Sequence, residues 1–490
     1  MTDTHDLSRL GPASLDGLPA DVIRPAYDRD AAQVGVVHLG PSAFHRAHQA
    51  DVFDRLLATD PRWAICAVSL KSPGVRDALA PQDGLYTLVE LDETVSYRVI
   101  GAIKAVHVAP EAPEAVLAAL AAPATGVVTL TVTEKGYTLT GAGALDLQHA
   151  DIRHDLARPA VPASAAGWLV EGLRRRRAAG AGGLNVISCD NLTDNGRKLG
   201  AAVAALARAQ DDADLAAWIE GACAFPNTMV DSITPATTDA LRERVRERLG
   251  VDDAWPIQRE AFTQWVIEDA LLPGAPDFAA AGVTLASEVR PFEEAKLRLL
   301  NGSHSALAYL GSLLDLATTA DAMREPALAG FVERMMRQDM TPSLTPNRQL
   351  DLDAYIASLL HRFRNPEIAH KLSQIAWDGS QKLPFRLLGP IRLALAAGRP
   401  IDRLAAPIAA WIAFVARQSK AGAPITDPLA PSLEALGREA GGEPEAVVEA
   451  FLNLASMFPP DLAADPRFRG AVVASYARLA QGEVRSVLAI

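Results

Sequence analysis

The rhythm of apolar positions changes at about residue 290. Before that point, short apolar runs alternate with stretches whose apolar residues recur every three or four positions. Val34–Leu39 (VGVVHL) reads as a buried strand opening into a loop, Phe44–Leu57 as a helix, and Trp63–Val68 (WAICAV) as the next strand. Val99–Val108 carries more strand pattern and Glu114–Leu120 a helix. Gly126–Val132 (GVVTLTV) is a strand, Trp168–Ala179 a helix, and Leu184–Ser188 (LNVIS) a strand that ends at Cys189, Asp190 and Asn191. Alternating strands and helices predict an α/β domain, a mostly parallel sheet covered on both faces. After a few strand-like residues at Val283–Ala286, helix follows helix. Leu352–Phe363, Pro384–Ala396, Ile401–Arg417, Glu445–Ala455 and Phe468–Ala480 are examples. The expected division is an α/β domain over residues 1–288 and a mostly α-helical domain over 289–490.

Bulk properties narrow the classes. A chain of 490 residues suits two or three domains, and 49% hydrophobic with 22% charged residues is an ordinary soluble balance. A net charge of -12 argues against a nucleic-acid footprint. Arg174–Arg177 run against that balance and read as the solvated C-terminal turn of a helix, where cations are favoured. Cys66, Cys189 and Cys223 are too widely spaced for a disulfide framework or a metal site. The opening residues, MTDTHDLSRL, lack a signal-peptide shape, and no apolar run is long enough to span a bilayer. The expectation is a cytoplasmic protein with no membrane or nucleic-acid partner and no metal. A monomer is compatible with the sequence, which leaves the oligomeric state open.

One segment concentrates chemistry. Pro291–Gly311 (PFEEAKLRLLNGSHSALAYLG) places Lys296, Asn301 and His304 in a leucine-rich helical pattern whose Leu297, Leu299, Leu300 and Leu307 predict burial. Burying a lysine is costly unless it is paired or its pKa shifts. On a continuous α-helix Glu293, Lys296, Asn301 and His304 fall within about 140° of one face. A lysine with a lowered pKa can exchange a proton with a secondary alcohol or a ketone. Asn301 and His304 would hold the substrate oxygen. The structural alternative is a snorkelling lysine beside a satisfied core histidine.

The first strand runs into Gly40-Pro41-Ser42-Ala43-Phe44, a turn into a helix N-terminus of the kind that holds a pyrophosphate. Only Gly40 stands where a dinucleotide fingerprint wants glycine, and Ser42 replaces the second. No acid follows the second strand. Ser69, Leu70 and Lys71 stand there, and Lys71 with Arg76 could favour a 2′-phosphate, so the residues leave NAD and NADP open. Candidate cofactor contacts are Gly40, Ser42, Ala43 and Phe44, with Ser69 and Thr133 after the strands Trp63–Val68 and Gly126–Val132. Asn191 could donate to a developing alkoxide. Asp190, Asn191 and Asn195 could equally be caps and turn residues, and Asp378-Gly379-Ser380-Gln381-Lys382 a polar interhelix turn.

Taken in order, VHLGPSAFHRAHQA (37–50), LTVTEKGY (130–137), SCDNLTDNG (188–196), FPNTMVD (225–231), QWVIED (264–269), KLRLLNGSH (296–304) and DGSQKLP (378–384) resemble the polyol-specific long-chain dehydrogenase/reductase family. Within it the chain resembles the fructuronate reductases more than the mannitol dehydrogenases. The resemblance implies a Rossmann-type N-terminal domain, a helical substrate domain, an NAD(H) cofactor with NADP(H) admitted, and a metal-free reaction. It implies Lys296 as general acid/base, Asn191 and Asn301 on the reacting oxygen, and His304 orienting substrate. It further implies Glu293 in proton exchange with solvent, and Asp231 and Lys382 as substrate contacts. Mannitol dehydrogenases carry an arginine eight residues before the DGSQK lysine, where this chain has Gln374. The expected reaction is therefore D-fructuronate to D-mannonate. A mannitol, arabinitol or altritol dehydrogenase is the alternative, and a non-catalytic nucleotide-binding sensor the next. Arg298, Lys382 and Arg386 are the cations near enough in sequence to meet a carboxylate.

Overall fold

Alternate residues of the first strands point into two separate cores. Val36, Ile65, Ala67, Val127 and Ile187 pack with Phe53, Leu56 and Leu57 of the helix Gln49–Leu57. Val37, Leu39, Cys66, Val68, Val128, Leu130 and Val186 face Leu117, Leu169, Leu173, Leu199 and Val203 on the other side. Period-two side-chain alternation with both faces apolar is the signature of a sheet covered on both sides. The computed structural model describes residues 7–368 and 370–490. It divides into two compact units, 1–290 and 291–490.

The first unit contains eleven strands: β1 (Val34–Leu39), β2 (Ala64–Ser69), β3 (Tyr86–Leu91), β4 (Ser96–Ile100), β5 (Ile103–Val108), β6 (Val127–Leu130), β7 (Asn185–Ser188), β8 (Thr228–Asp231), β9 (Ile257–Glu260), β10 (Gln264–Glu268) and β11 (Thr284–Ala286). The main sheet has the order β5-β2-β1-β6-β7, and every pairing in it is parallel. The chain leaves β1 to one side for β2 and later returns on the other side as β6. A crevice therefore opens beyond the carboxyl ends of β1 and β6, where open α/β sheets bind ligands.

Two expected elements divide. The helix anticipated over Phe44–Leu57 is two helices, Ala43–Ala47 and Gln49–Leu57, broken at His48. The His48 ring bonds the Gln264 carbonyl at 3.0 Å and the Gln49 amide at 3.0 Å, which holds the break. The strand pattern over Val99–Val108 serves two sheets. β4 joins the order β4-β3-β9, while β5 edges the main sheet. Between them the Gly101 N–H donates to the buried Asp54 carboxylate at 2.8 Å. Of the third sheet, β11-β10-β8, only β11 was read as strand, at Val283–Ala286, while β10 and β8 stood in the sequence as the QWVIED and FPNTMVD motifs.

Arg174–Arg177 close the helix Ala165–Ala178 as expected, with Arg177 exposed, but the turn is not wholly solvated. Arg176 is buried and donates to the carbonyls of Gly182 at 2.5 Å and Ala122 at 2.6 Å, while Arg174 and Arg175 both pair with Glu171.

The second unit is helical throughout its described residues, and the split falls two residues beyond 288. Ser303–Leu313 packs against the long helix Asp402–Lys420, which in turn carries Ala430–Glu439 and Pro466–Ala480. Tyr309 and Trp411 from the first two of these helices close over Gly379, and a Cβ there would lie 2.5 Å from Tyr309 Oη and 2.7 Å from Trp411 Nε1. Both rings are buried and cannot swing away. Gly379→Ala is expected to cost about 1–3 kcal/mol of unfolding free energy. Urea unfolding of the two proteins measures it, and an unchanged midpoint would show that the aromatic pair yields.

Candidate functional site

The helix from Arg290 does not stay α-helical. Arg290–Ala295 is α, Lys296–Gly302 is a π-helix, and the α-helix resumes at Ser303–Leu313. The face arithmetic of a continuous α-helix therefore fails across this segment. A five-residue step turns an α-helix about 140° past a full turn, but it is the hydrogen-bond repeat of a π-helix. Lys296 and Asn301, five apart, are brought to one side. Lys296 and Asn301 are half-buried, and Leu297 is half-buried too rather than part of the core. Glu293 lies one turn before Lys296 and is also half-buried.

Gly302 is where this wide turn meets its neighbours. A Cβ there would come 2.7 Å from Met340 Cε and 3.4 Å from the Arg386 carbonyl. Those two residues belong to two other π-helical segments, Met335–Met340 and Pro384–Leu388. The helix expected over Pro384–Ala396 thus begins with a π turn, where Pro384 has no N–H to give an α-helical bond.

His304 is buried against Phe363 (ring centroids 4.8 Å) and His370 (5.4 Å), and its Nε2 has no hydrogen-bond partner among the described residues. Burial holds its pKa well below the ordinary value, and the nearby His370, Arg386, Arg362 and Lys382 push it the same way. His304 is therefore a neutral imidazole at any working pH, able to orient a hydroxyl but not to act as the acid. Lys382 is itself lowered by burial and by Arg386. It stands on Gly379–Leu383, whose turn is clamped by Asp427 accepting from the Ser380 N–H (2.9 Å) and hydroxyl (2.5 Å).

In the first unit the candidate cofactor residues gather at the crevice. Gly40 has φ +84°, and a Cβ there would sit 2.4 Å from the Thr131 carbonyl, so the turn requires glycine. The Gly40 N–H donates to the Val68 carbonyl (2.9 Å), and the Thr131 hydroxyl donates to the Gly40 carbonyl (2.6 Å). Ser42 caps the next helix by accepting from the His45 N–H at 3.2 Å and touches Thr131 Oγ1 at 3.1 Å. Ser42 is exposed, and Ala43 and Phe44 are partly so, which leaves first-turn N–H groups facing outward. Ser69 ends β2, and Thr133 follows β6 with φ +62°.

Asp190, beside the exposed Asn191, accepts from the Val132 and Thr133 N–H groups at 2.9 Å each and from Tyr137 Oη at 2.7 Å. Asp190 is thus a clamp that ties the loop carrying Asn191 to Thr133. Asn195 is likewise structural, bonded to Thr228 in both directions. Asp231 is buried on β8, opposite Gln264 of β10, and acts electrostatically on His48, whose ring stacks on Phe44 at 4.9 Å. Arg76 pairs at the surface with the exposed Asp77 and Glu111, and Lys71 is exposed.

Sequence reading passed over His38 and Thr131. His38 is buried, bonds Thr129 Oγ1 at 2.7 Å and Thr131 Oγ1 at 3.1 Å, and stacks on His45 at 3.4 Å. Their signal was the alternation of VVHL and TLTV, which puts polar residues at the carboxyl end of adjacent strands. Among the described residues no group of three His, Cys, Asp or Glu converges as metal ligands would.

Residues 34–279 match the family described as the mannitol dehydrogenase Rossmann domain, and residues 288–480 the mannitol dehydrogenase C-terminal domain. The chain belongs to the mannitol dehydrogenase family. Its relatives in this family include the D-mannonate oxidoreductase of Escherichia coli K12, 42% identical over 96% of this chain and 98% of that protein. Similar solved structures are Pseudomonas fluorescens mannitol 2-dehydrogenase in ternary complex with NAD and D-mannitol and a substrate-free D-sorbitol dehydrogenase. The first has TM-score 0.81 and 36% identity and covers 98% of this chain and 99% of its own. The second has TM-score 0.90 and 32% identity, with 98% and 100% covered. The family fold agrees with the expected α/β domain followed by a helical one.

Burial gives the family's two domains in this chain a pH dependence. Burial depresses His38 to about 3 and His48 to about 4, and lowers His45, His304 and His370 as well. Below pH about 6.5 the unfolded chain takes up protons that the folded chain refuses. Stability is then full above that value and falls as pH drops towards the folded values, by about 1.4 kcal/mol per pH unit for each such histidine. The thermal midpoint is expected to fall clearly between pH 7.5 and 5.0, and a flat profile would contradict the burial argument.

Proposed function

We propose that this chain is an NAD(H)-dependent oxidoreductase that interconverts D-fructuronate and D-mannonate. The observation that supports the chemistry is the π-helical turn Lys296–Gly302, whose five-residue repeat favours Lys296 and Asn301 on one side, next to a buried histidine held well below its ordinary pKa. Family membership and the likeness to a D-mannonate oxidoreductase support the substrate, as does Gln374 where mannitol dehydrogenases carry arginine. The likeness to a mannitol 2-dehydrogenase bound to NAD supports the cofactor.

Bound at the Gly40–Phe44 turn, the nicotinamide cofactor would supply the hydride in one direction and accept it in the other. Gly40, Ser42, Ala43 and Phe44 would hold its pyrophosphate, with Ser69 and Thr133 at the neighbouring strand ends. Lys296 would protonate the ketone oxygen as its carbon takes the hydride, and would take the proton back from the alcohol in reverse. Asn191 and Asn301 would donate to the same oxygen as charge develops on it. His304 would orient a substrate hydroxyl. Asp231 and Lys382 would fix the rest of the sugar, and Glu293 would pass the lysine proton to solvent. In this reading 1–288 is the cofactor domain and 289–490 the substrate domain, and the enzyme works in the cytoplasm. No helix among the described residues is long and apolar enough to cross a membrane.

The second reading, a polyol dehydrogenase acting on mannitol, arabinitol or altritol, is favoured by the likeness to the D-mannitol complex. NADH oxidation with fructuronate and with fructose separates the two, since the proposed enzyme prefers the uronate. Lys296→Ala is expected to lower turnover by about 10²–10⁴-fold while NADH still binds. A variant with near-normal turnover would remove Lys296 from the chemistry.

A further inference from the structure

Two positive side chains near His304, Lys382 and Arg386, form no salt bridge among the described residues. Arg386 is partly buried, and its one hydrogen bond among the described residues goes to Ser305 Oγ at 3.1 Å. It forms no salt bridge there. Burial lowers its pKa to about 10, and the neighbour that opposes this is the Tyr309 phenol, not a carboxylate. Four residues earlier, Lys382 reaches, among the described residues, only the Ile375 carbonyl, at 3.5 Å, and feels Asp378 and Asp427 at a distance. Asp427 is already occupied by Ser380 and by the Leu429 N–H.

A guanidinium removed from water without a counter-ion is costly, and a second cation beside it adds to that cost. The cost is recovered when an anion binds. Arg298, the third cation in this stretch of sequence, is already engaged by the Ser343 carbonyl and by Glu294. Arg386 stands on Pro384–Leu388, the segment that contacts the π turn of Lys296, and Lys382 on the short helix just before it.

We propose that Arg386, with Lys382 beside it, is the carboxylate seat of a sugar-acid substrate and the specificity-determining residue of this enzyme. The planar guanidinium can take a carboxylate bidentately, and the ammonium adds a point charge. The neutral His304 ring near both can serve the adjacent hydroxyl without repelling either cation. This inference rests on the proposal that the substrate lies along the Lys296 segment. It adds the residue that would tell a ketouronate from the neutral ketose of the same carbon skeleton.

The test compares kcat/KM for D-fructuronate and D-fructose with NADH in the wild type, Arg386→Gln and Arg386→Lys. The ratio of the two constants should fall at least about 30-fold in the glutamine variant, chiefly through KM for the uronate, and recover in part in the lysine variant. Proportional losses on both substrates would reduce Arg386 to a structural role and overturn the proposal. If the wild type reduces fructose and not fructuronate, the substrate assignment above fails on its own. The seat is then read from competition, with D-mannonate and D-mannitol as inhibitors of fructose reduction. Inhibition by the aldonate that weakens in Arg386→Gln supports the seat, and equal inhibition of both proteins overturns it. Should the glutamine variant not fold, wild-type titration with the two inhibitors decides. Preference for the aldonate that disappears at high salt supports the seat, and no preference overturns it.

Discussion

A backbone constraint sets the chemistry of the helical unit. Between Lys296 and Gly302 the helix widens to five-residue bonding, and the change begins at the lysine itself. An α-helix would turn Asn301 well away from Lys296. Such widened turns are rare and recur at functional sites. Here the surroundings hold it in place, because Gly302 has no side chain and lets Met340 and the Arg386 backbone press close. Pro384 loosens the opposing segment in the same way, by withholding a donor. The conformation of the candidate acid/base residue thus depends on two stretches of chain far from it in sequence, Met335–Met340 and Pro384–Leu388.

Electrostatics then separates the roles of neighbouring polar groups. His304 sits among Arg386, Arg362, Lys382 and His370, and every one of those neighbours opposes its protonation. The imidazole is restricted to hydrogen bonding, which leaves proton transfer to the lysine. The same burial that makes His304 neutral leaves Arg386 charged, because a guanidinium even at about 10 keeps its proton at neutral pH. Burial therefore produces a neutral ring and, near it, a guanidinium without a salt bridge among the described residues.

The first unit uses buried polar contacts differently, to fix a loop geometry. His38, Thr129 and Thr131 form a hydrogen-bonded row under the Gly40 turn, and Asp190 ties the Thr133 loop to the loop bearing Asn191. Groups that would be expensive if unsatisfied become rigid supports when bonded. Asp190 and Asn195 turn out to be such supports, whereas their neighbour Asn191 is exposed at the rim.

Much of this was readable along the chain. Apolar runs such as VGVVHL and GVVTLTV determined strands buried on both faces, since no charged position interrupts them and their polar residues, His38, Thr129 and Thr131, gather towards the carboxyl end. The change to a helical period near residue 290 determined the second unit. The lysine, asparagine and histidine of one short segment identified where to look for chemistry. Other features depended on contacts between residues far apart in sequence. The π turn at Lys296 needs Met340 and Arg386 against Gly302, and local periodicity reports only the α-helical average. The break at His48 needs the Gln264 carbonyl, more than two hundred residues away. In the sequence Arg386 was one of three cations near enough to meet a carboxylate, and packing set it apart by removing its water and supplying no carboxylate among the described residues. Sequence pattern reports what each residue prefers locally. Which charge is left without a partner is a property of the whole neighbourhood, and only the tertiary structure assembles it.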